Sequence, residues 1–145
     1  MKRSVAREAG FLIVFEYSFG FAGIDEIIEL AKECREFECD DYSVSIARGV
    51  TGNLEQIDAL ISAKLRGYVI ERISKVSLAA LRCAIWEFCI TPDIPVEIAV
   101  NEAVELTKKY GMPEDASFVN GVLGAIAREA APTQSSPADA ATDEQ

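Results

Sequence analysis

Ser77-Leu78-Ala79-Ala80-Leu81-Arg82-Cys83-Ala84-Ile85-Trp86-Glu87-Phe88, then Thr91-Pro92-Asp93-Ile94-Pro95, then an apolar stripe from Val96 to Tyr110, decides the fold class. Leu78, Leu81, Ile85 and Phe88 recur at three and four residues, the spacing that lines one face of an α-helix, and Ser77 is placed to cap its start. Two prolines forbid a continuing helix across 91–95. Pro95 suits the first turn of the next helix, where its missing N–H costs nothing. Val96, Ala99, Val100, Ala103, Leu106 and Tyr110 then share one face, and Gly111 supplies the C-terminal stop.

Outward from this block the same period persists. Pro113, Glu114 and Asp115 open a last helix with Phe118, Val119, Val122, Leu123 and Ile126 inward. Upstream, Val5, Ala9, Leu12, Ile13 and Glu16 predict a helix over 4–19, broken by Gly20 and Gly23. A second fits 25–37, with Ile27, Ile28, Leu30 and Ala31 inward and Asp25 and Glu26 at its positive N-terminal end. A third starts at Asp40-Asp41, breaks near Gly49-Val50-Thr51-Gly52, and continues through Leu54, Ile57, Leu60, Ile61 and Leu65 to Gly67. A short helix over 68–73 joins the halves. The expectation is all-α: a compact bundle of about seven helices in two helical subdomains. From Ala131 onward no periodic apolar face remains, which divides the chain into a helical domain over 1–131 and a disordered acidic tail over 132–145.

With 145 residues, half of them hydrophobic, the chain can bury a sizeable core as one domain. The formal charge of −10 argues against generic nucleic-acid binding. Charge is unevenly placed, however: Lys2, Arg3 and Arg7 precede every acid, so a basic corner on an acidic body is compatible with the composition. No apolar run reaches the roughly 18 residues of a membrane span. Glu8 and Glu16 interrupt any leader-like segment, and a cytoplasmic location is expected.

Catalytic chemistry is poorly provided for. Histidine is absent, which excludes Ser-His-Asp and Cys-His catalysis and any His-containing zinc site. Cys34, Cys39, Cys83 and Cys89 have no CxxC spacing and read as buried thiols. Glu97, Glu102 and Glu105 lack the histidine that a di-iron bundle pairs with glutamate, and with Lys108 and Lys109 nearby they read as a solvated, charge-paired face. No catalytic residue, metal or cofactor is expected. Gly121 and Gly124, within the last helix, cost about 1 kcal/mol each relative to alanine; they suggest close packing against another backbone, or else close approach of a ligand.

Arg3, Arg7, Phe11 and Phe15 recur every four residues and drift by about 40° per step. They form an inclined ridge, cations at one end and rings at the other. Guanidinium groups hold phosphates and aromatic rings stack unpaired bases. From pattern alone, the plainer reading makes Phe11 and Phe15 core and leaves the arginines solvated. Phe118, beside Ser117 and Asn120 in the first turn of the last helix, carries the same two readings.

Four blocks shift that balance. Leu81-Arg82-Cys83-Ala84-Ile85-Trp86-Glu87-Phe88, then Asp93-Ile94-Pro95, then Asn101-Glu102-Ala103-Val104-Glu105-Leu106, then Phe118-Val119-Asn120-Gly121-Val122-Leu123 resemble the NusB family in content, order and spacing. Ala6-Arg7-Glu8 before an apolar stretch is also similar. The resemblance spans about 2–129, strong after Val76 and weak between Gly20 and Gly67. It implies two helical subdomains, with the first and last helices near one RNA-binding face. It implies pairing with NusE, a small-subunit ribosomal protein, and joint binding of boxA RNA in antitermination by the transcription elongation complex on ribosomal RNA genes. Carried over by position, Lys2, Arg3 and Arg7 would meet phosphates, Phe15 would sit at the RNA-proximal end of the first helix, and Phe118 and Asn120 would contact RNA. Asp115 lies in the acidic loop before them, and the partner surface would involve the helices over 78–88 and 96–110.

The sequence departs from the family twice. Its N-terminus carries fewer arginines, which predicts weaker RNA binding with a shallower salt response, at about 0.7 per phosphate contact for single strands. Ser77-Leu78 stands where the family commonly has an acid followed by a base. RNA affinity is then expected to depend heavily on the protein partner. An RNA (cytosine) methyltransferase with a NusB-like N-terminal domain would need a Rossmann-like sheet that this sequence does not contain. A helical protein that only forms homodimers, without RNA binding of its own, is the alternative left open.

Overall fold

The computed structural model describes residues 2–34, 39–67, 69–91 and 93–140, with side chains placed for all of these except 34 and 130–140. Among them run seven α-helices and no strand: α1 (Arg3–Tyr17), α2 (Ile24–Cys34), α3 (Asp41–Gly52), α4 (Leu54–Ser62), α5 (Lys75–Ile85), α6 (Val96–Tyr110) and α7 (Pro113–Ala140). A 3-10 turn at Ile70–Arg72 stands where the short joining helix is expected, and a π-helical turn at Trp86–Ile90 extends α5. The expected end of helix 2 at Phe37, Tyr68 in the joining helix, Pro92 of the proline turn and the tail over 141–145 lie outside the described residues.

α5 is the axis of the molecule. Every residue over 77–85 is buried, so the helix is packed on all sides. Around it, Phe11 and Val14 of α1, Ile46 and Val50 of α3, Ile57 and Ile61 of α4, Ala99 and Ala103 of α6 and Val119, Val122 and Leu123 of α7 form one continuous core. A smaller cluster of Ile13, Ile27, Ile28 and Ala47 seats α2. The N-terminal helices α1–α4 and the C-terminal helices α5–α7 therefore meet along shared apolar surface.

Local chemistry sets the boundaries. Asp40 caps α3 by accepting from the Ser43 amide at 3.0 Å, while the Ser43 hydroxyl accepts from the Asp40 amide and donates to the Ala6 carbonyl of α1. Beside it, a Cβ on Gly10 would stand 3.0 Å from Ile46, so glycine is what lets α1 and α3 approach. α4 ends at Ser62 with Ala63 as its C-cap, short of the stop expected at Gly67, which lies in the following turn at φ +74°, a conformation that glycine adopts at low cost.

Several expectations need correction or a different physical reason. Ser74, not Ser77, caps α5: its hydroxyl accepts from the Ser77 amide at 3.1 Å. Leu30 is 45% exposed, since α2 turns it away from the pair Ile27 and Ile28. Pro95 is the N-cap of α6 rather than a residue of its first turn. Gly111 ends α6 at φ −114°, which any residue adopts; what requires glycine is space, because a Cβ there would meet Asp115 Oδ2 at 2.6 Å. α7 runs on through Ala140, past the expected tail boundary. No apolar stripe supports that extension, and Pro132 and Pro137 within it oppose helix by removing backbone donors.

Candidate nucleic-acid interface

The drift of the four-residue series along α1 explains where its members go. Arg3 begins exposed, Arg7 and Phe11 rotate into the core, Phe15 emerges half-buried, and Phe19, next in the series, is exposed again. About 40° per step carries the ridge through the interior and out on the other side. The rings stay in contact: Phe11 and Phe15 stack with centroids 6.3 Å apart, and Phe19 meets Phe15 edge-on at 5.1 Å.

Arg7 is therefore not a surface cation. It is 8% exposed, and its Nε donates to both oxygens of Glu87, at 3.0 and 2.8 Å. Glu87 is 2% exposed, and the Tyr42 hydroxyl donates to its Oε2 in a short hydrogen bond. Glu102 of α6 approaches Arg7 Nη1 at 3.9 Å. A carboxylate buried this deeply needs such partners, since an unpaired one would cost several kcal/mol, about 3–5 on removal of its cation. Burial and the adjacent Glu87 carboxylate push the Tyr42 phenol up to about 12, which keeps it a hydrogen-bond donor. Neither sequence reading of Arg7, phosphate contact or solvated side chain, describes this position. The partner that withdraws it from solvent is eighty residues away in the chain.

Arg3 remains available. Its guanidinium carbon lies 3.8 Å from the centroid of the Tyr42 ring, well within cation–π range. Lys2 is exposed and precedes the first turn of α1. From there to Phe15 the axis of α1 covers about 18 Å, so the structure separates the cationic end of the expected site from its aromatic end.

The aromatic end gathers at the start of α5. Lys75 Nζ stands 5.9 Å from the Phe19 ring. Phe118 lines a shallow depression with Arg72, Ile73, Ser74, Ser77, Glu114 and Asp115. Asp115 ties α7 to α5 here: its Oδ1 accepts from the hydroxyls of Ser74 and Ser77, each at 3.1 Å, and its Oδ2 from the Met112 amide at 2.8 Å. Phe118 is half-buried and packs on the core with one side. Asn120 is exposed on a different side of α7, in a groove of about 640 Å³ shared with Ile98, Asn101 and Val104 of α6. Phe15 and Phe118 thus flank one end of α5, while Asn120, Lys2 and Arg3 lie apart from it.

The expected partner surface also contracts. Complete burial over 77–85 leaves α5 only its first turn to offer, whereas α6 exposes Glu97, Ile98, Asn101, Glu105 and Lys108. Gly121 has no neighbour within 4 Å of a built Cβ and Gly124 has only Arg128 at 3.5 Å, so close backbone packing does not account for either glycine. Sequence reasoning missed Tyr42, Glu87, Phe19 and Lys75. The four-residue series pointed at Phe19 by simple extension; nothing in the local sequence links Tyr42 to Glu87.

Of the thiols expected to be buried, Cys83 is buried, Cys39 and Cys89 are half-buried, and the side chain of Cys34 lies outside the described residues. Burial drives the pKa of the three described thiols upward, that of Cys83 furthest, which suppresses the reactive thiolate. Among the described residues no group of three His, Cys, Asp or Glu is placed to hold a metal, and no helix is long and apolar enough to cross a membrane. Of the three acids on α6, Glu105 pairs with Lys108 at 3.4 Å, Glu102 turns toward Arg7, and Glu97 lines the groove beside Asn120; Lys109 pairs with Glu8 of α1 at 2.6 Å.

Comparison with known proteins gives consistent results. The profile of the NusB family matches residues 5–128. The transcription antitermination protein NusB of Clostridium acetobutylicum is 40% identical over 126 residues, 86% of this chain and 93% of that protein. A crystal form of T. maritima NusB superposes with a TM-score of 0.80 at 34% identity, covering 92% of this chain and 96% of that one. A crystal structure of the antitermination factors NusB and NusE in complex with double-stranded RNA superposes with a TM-score of 0.79 at 26% identity, covering 88% and 96%. Family profile, sequence identity and fold agree over almost the whole helical region, and the chain belongs to the NusB family.

Proposed function

We propose that this protein is a cytoplasmic transcription antitermination factor that binds single-stranded boxA-type RNA jointly with the ribosomal protein NusE. In that role it would support ribosomal RNA transcription by the elongation complex. The observation that carries this reading is the likeness, in sequence and fold, to a NusB solved together with NusE and RNA. The relatives matched over most of the chain are transcription antitermination proteins NusB.

The geometry supports the reading by supplying two kinds of contact. The exposed Lys2 and Arg3 offer charge for phosphates, and the exposed Phe19, with the half-buried Phe15 and Phe118, places aromatic rings near Lys75 and Arg72 for unpaired bases. With Arg7 buried, few cations remain at the N-terminus, so the RNA site is weak without a second protein that adds contacts. Anisotropy of a labelled boxA-type RNA, titrated with the protein alone and then with NusE, tests this. Affinity rising by more than about tenfold with NusE is expected; unchanged affinity would refute the shared site. A duplex of the same sequence, run in parallel, separates the single-stranded preference from the duplex held by the structural neighbour. Phe118→Ala is expected to weaken RNA retention at unchanged fold, and a collapsed thermal transition would instead show its ring to be structural.

A further inference from the structure

Arg7 and Glu87 are deeply buried and hydrogen-bonded to each other, yet the pair is not closed. Glu87 Oε2 also accepts from the Tyr42 hydroxyl, and the Tyr42 ring carries Arg3 at 3.8 Å on its face. We propose that Tyr42 is a positioning residue for RNA binding: its ring seats the Arg3 guanidinium for a phosphate contact, and Glu87, clamped by Arg7, holds that ring in place. The inference rests on the RNA-binding function proposed above.

Three features make the seat more than a chance contact. The π-helical turn at Trp86–Ile90 adds a residue to the helical repeat, and such turns recur at functional sites. It carries both Glu87 and Trp86, whose ring lies 6.3 Å from the ring of Tyr42. Trp86 in turn fills the space over Gly49, where a Cβ would stand 2.0 Å from its Nε1. Tyr42 is thus held at its hydroxyl by Glu87 and flanked by an indole that is itself fixed against α3. Second, a phenol donating to a carboxylate becomes more electron-rich, which strengthens its attraction for a cation over the ring. The phenol remains a donor at any physiological pH, as its pKa of about 12 requires. Third, stacking occupies the flat face of a guanidinium, while its N–H groups radiate in the plane, where a phosphate can be bound in fork geometry. A flexible terminal arginine becomes a preorganised one, and less side-chain entropy is lost on binding.

The test uses the full chain with NusE and a labelled boxA-type RNA, comparing Tyr42→Leu, Tyr42→Phe and Arg3→Ala alone and combined across a salt series. Tyr42→Leu is expected to weaken binding about fivefold and to reduce the salt slope by about 0.7, the loss of one single-strand phosphate contact. In the Arg3→Ala background the same substitution should change neither quantity. A loss of equal size in both backgrounds, or an unchanged slope, would show a merely structural role and overturn the proposal. Tyr42→Phe keeps the ring and breaks only the tie to Glu87. It is expected to lose about twofold, again only when Arg3 is present, and it carries the test if Tyr42→Leu melts below the assay temperature. Wild-type binding by Tyr42→Phe would overturn the role of Glu87. If the unaltered chain with NusE retains no RNA, the proposed function itself fails. If it retains RNA but ignores Arg3→Ala, the function stands and the seat is wrong.

Discussion

At the scale of single residues, burial decides what a charge is for. Arg7 has the sequence neighbours of a phosphate contact and the surroundings of a core residue, lying among Ala80, Cys83, Ala84 and Ala103. Removing it leaves the buried Glu87 without its cation, so Arg7→Ala is expected to lower the unfolding free energy by about 3–5 kcal/mol in urea titration. A change below about 1 kcal/mol would mean that the pair is more hydrated than its geometry indicates. Two glycines make the opposite comparison. Gly49→Ala drives a Cβ into the ring of Trp86, where overpacking costs about 1–3 kcal/mol or more. Because the chain has a single tryptophan, the indole's displacement is read directly from its fluorescence. Gly121→Ala meets open space on a helix and is expected to stabilise by about 0.5–1 kcal/mol. A destabilised Gly121→Ala would contradict the open surroundings of that site.

At the scale of elements, helices are fastened pairwise by polar clips at their ends. α1 and α6 are joined outside the core by Glu8, which accepts from Lys109 at 2.6 Å and from the Tyr110 hydroxyl. Those two hydrogen bonds hold the Glu8 carboxyl below its ordinary value of 4.5. A lowered folded-state pKa means that the folded form favours the charged carboxylate. The clip's stabilisation is therefore complete above the ordinary value and disappears as pH falls through the lowered one. Lys109, raised by the same contact, contributes with the opposite sense and loses its share only at strongly alkaline pH. Melting temperature measured from pH 7 down to 3 should fall less steeply for Glu8→Gln than for wild type below about pH 4.5. Some acid sensitivity will persist, because the Asp40 cap of α3 is also held low, chiefly by the Ser43 amide. Parallel curves would show that the clip does not form in solution. The Ser74 cap illustrates how such details escape the sequence. Ser74 and Ser77 are both competent caps by residue type; in the fold Ser74 accepts from the Ser77 amide, and Asp115 receives both hydroxyls from across the α5–α7 junction.

At the scale of the whole molecule, the all-helical class was legible because apolar spacing is a local property, readable wherever the period of three and four residues persists. The four-residue ridge of α1 was legible as well, but its orientation was not. A drift of about 40° per step says how the members differ in direction, not which one faces the core, and only the packing of α1 on α3 and α5 settles that. The long-range ties of Glu87 to Arg7 and Tyr42, and of Arg82 to Asp58 through two hydrogen bonds of 2.9 and 2.8 Å, leave no trace in local pattern. The C-terminus offers a test at the same scale. Among the described side chains, the last buried core residue of α7 is Ile126, with Ala127 packed beside it, and Glu129 makes the last ion pair, 2.6 Å from Lys64. Beyond 131 the sequence offers alanine, serine, proline and acids but no apolar face to bury. Stability arises from buried area, so deleting 132–145 should shift the melting temperature by less than about 2 °C. It also removes Asp139, Asp143 and Glu144, taking the formal charge from −10 to −7. RNA affinity in the presence of NusE should therefore hold or rise slightly at low salt and become indistinguishable from wild type as screening shortens the reach of the tail's charge. A melting temperature lower by more than about 5 °C would show that the end of α7 packs against the bundle and belongs to the folded domain.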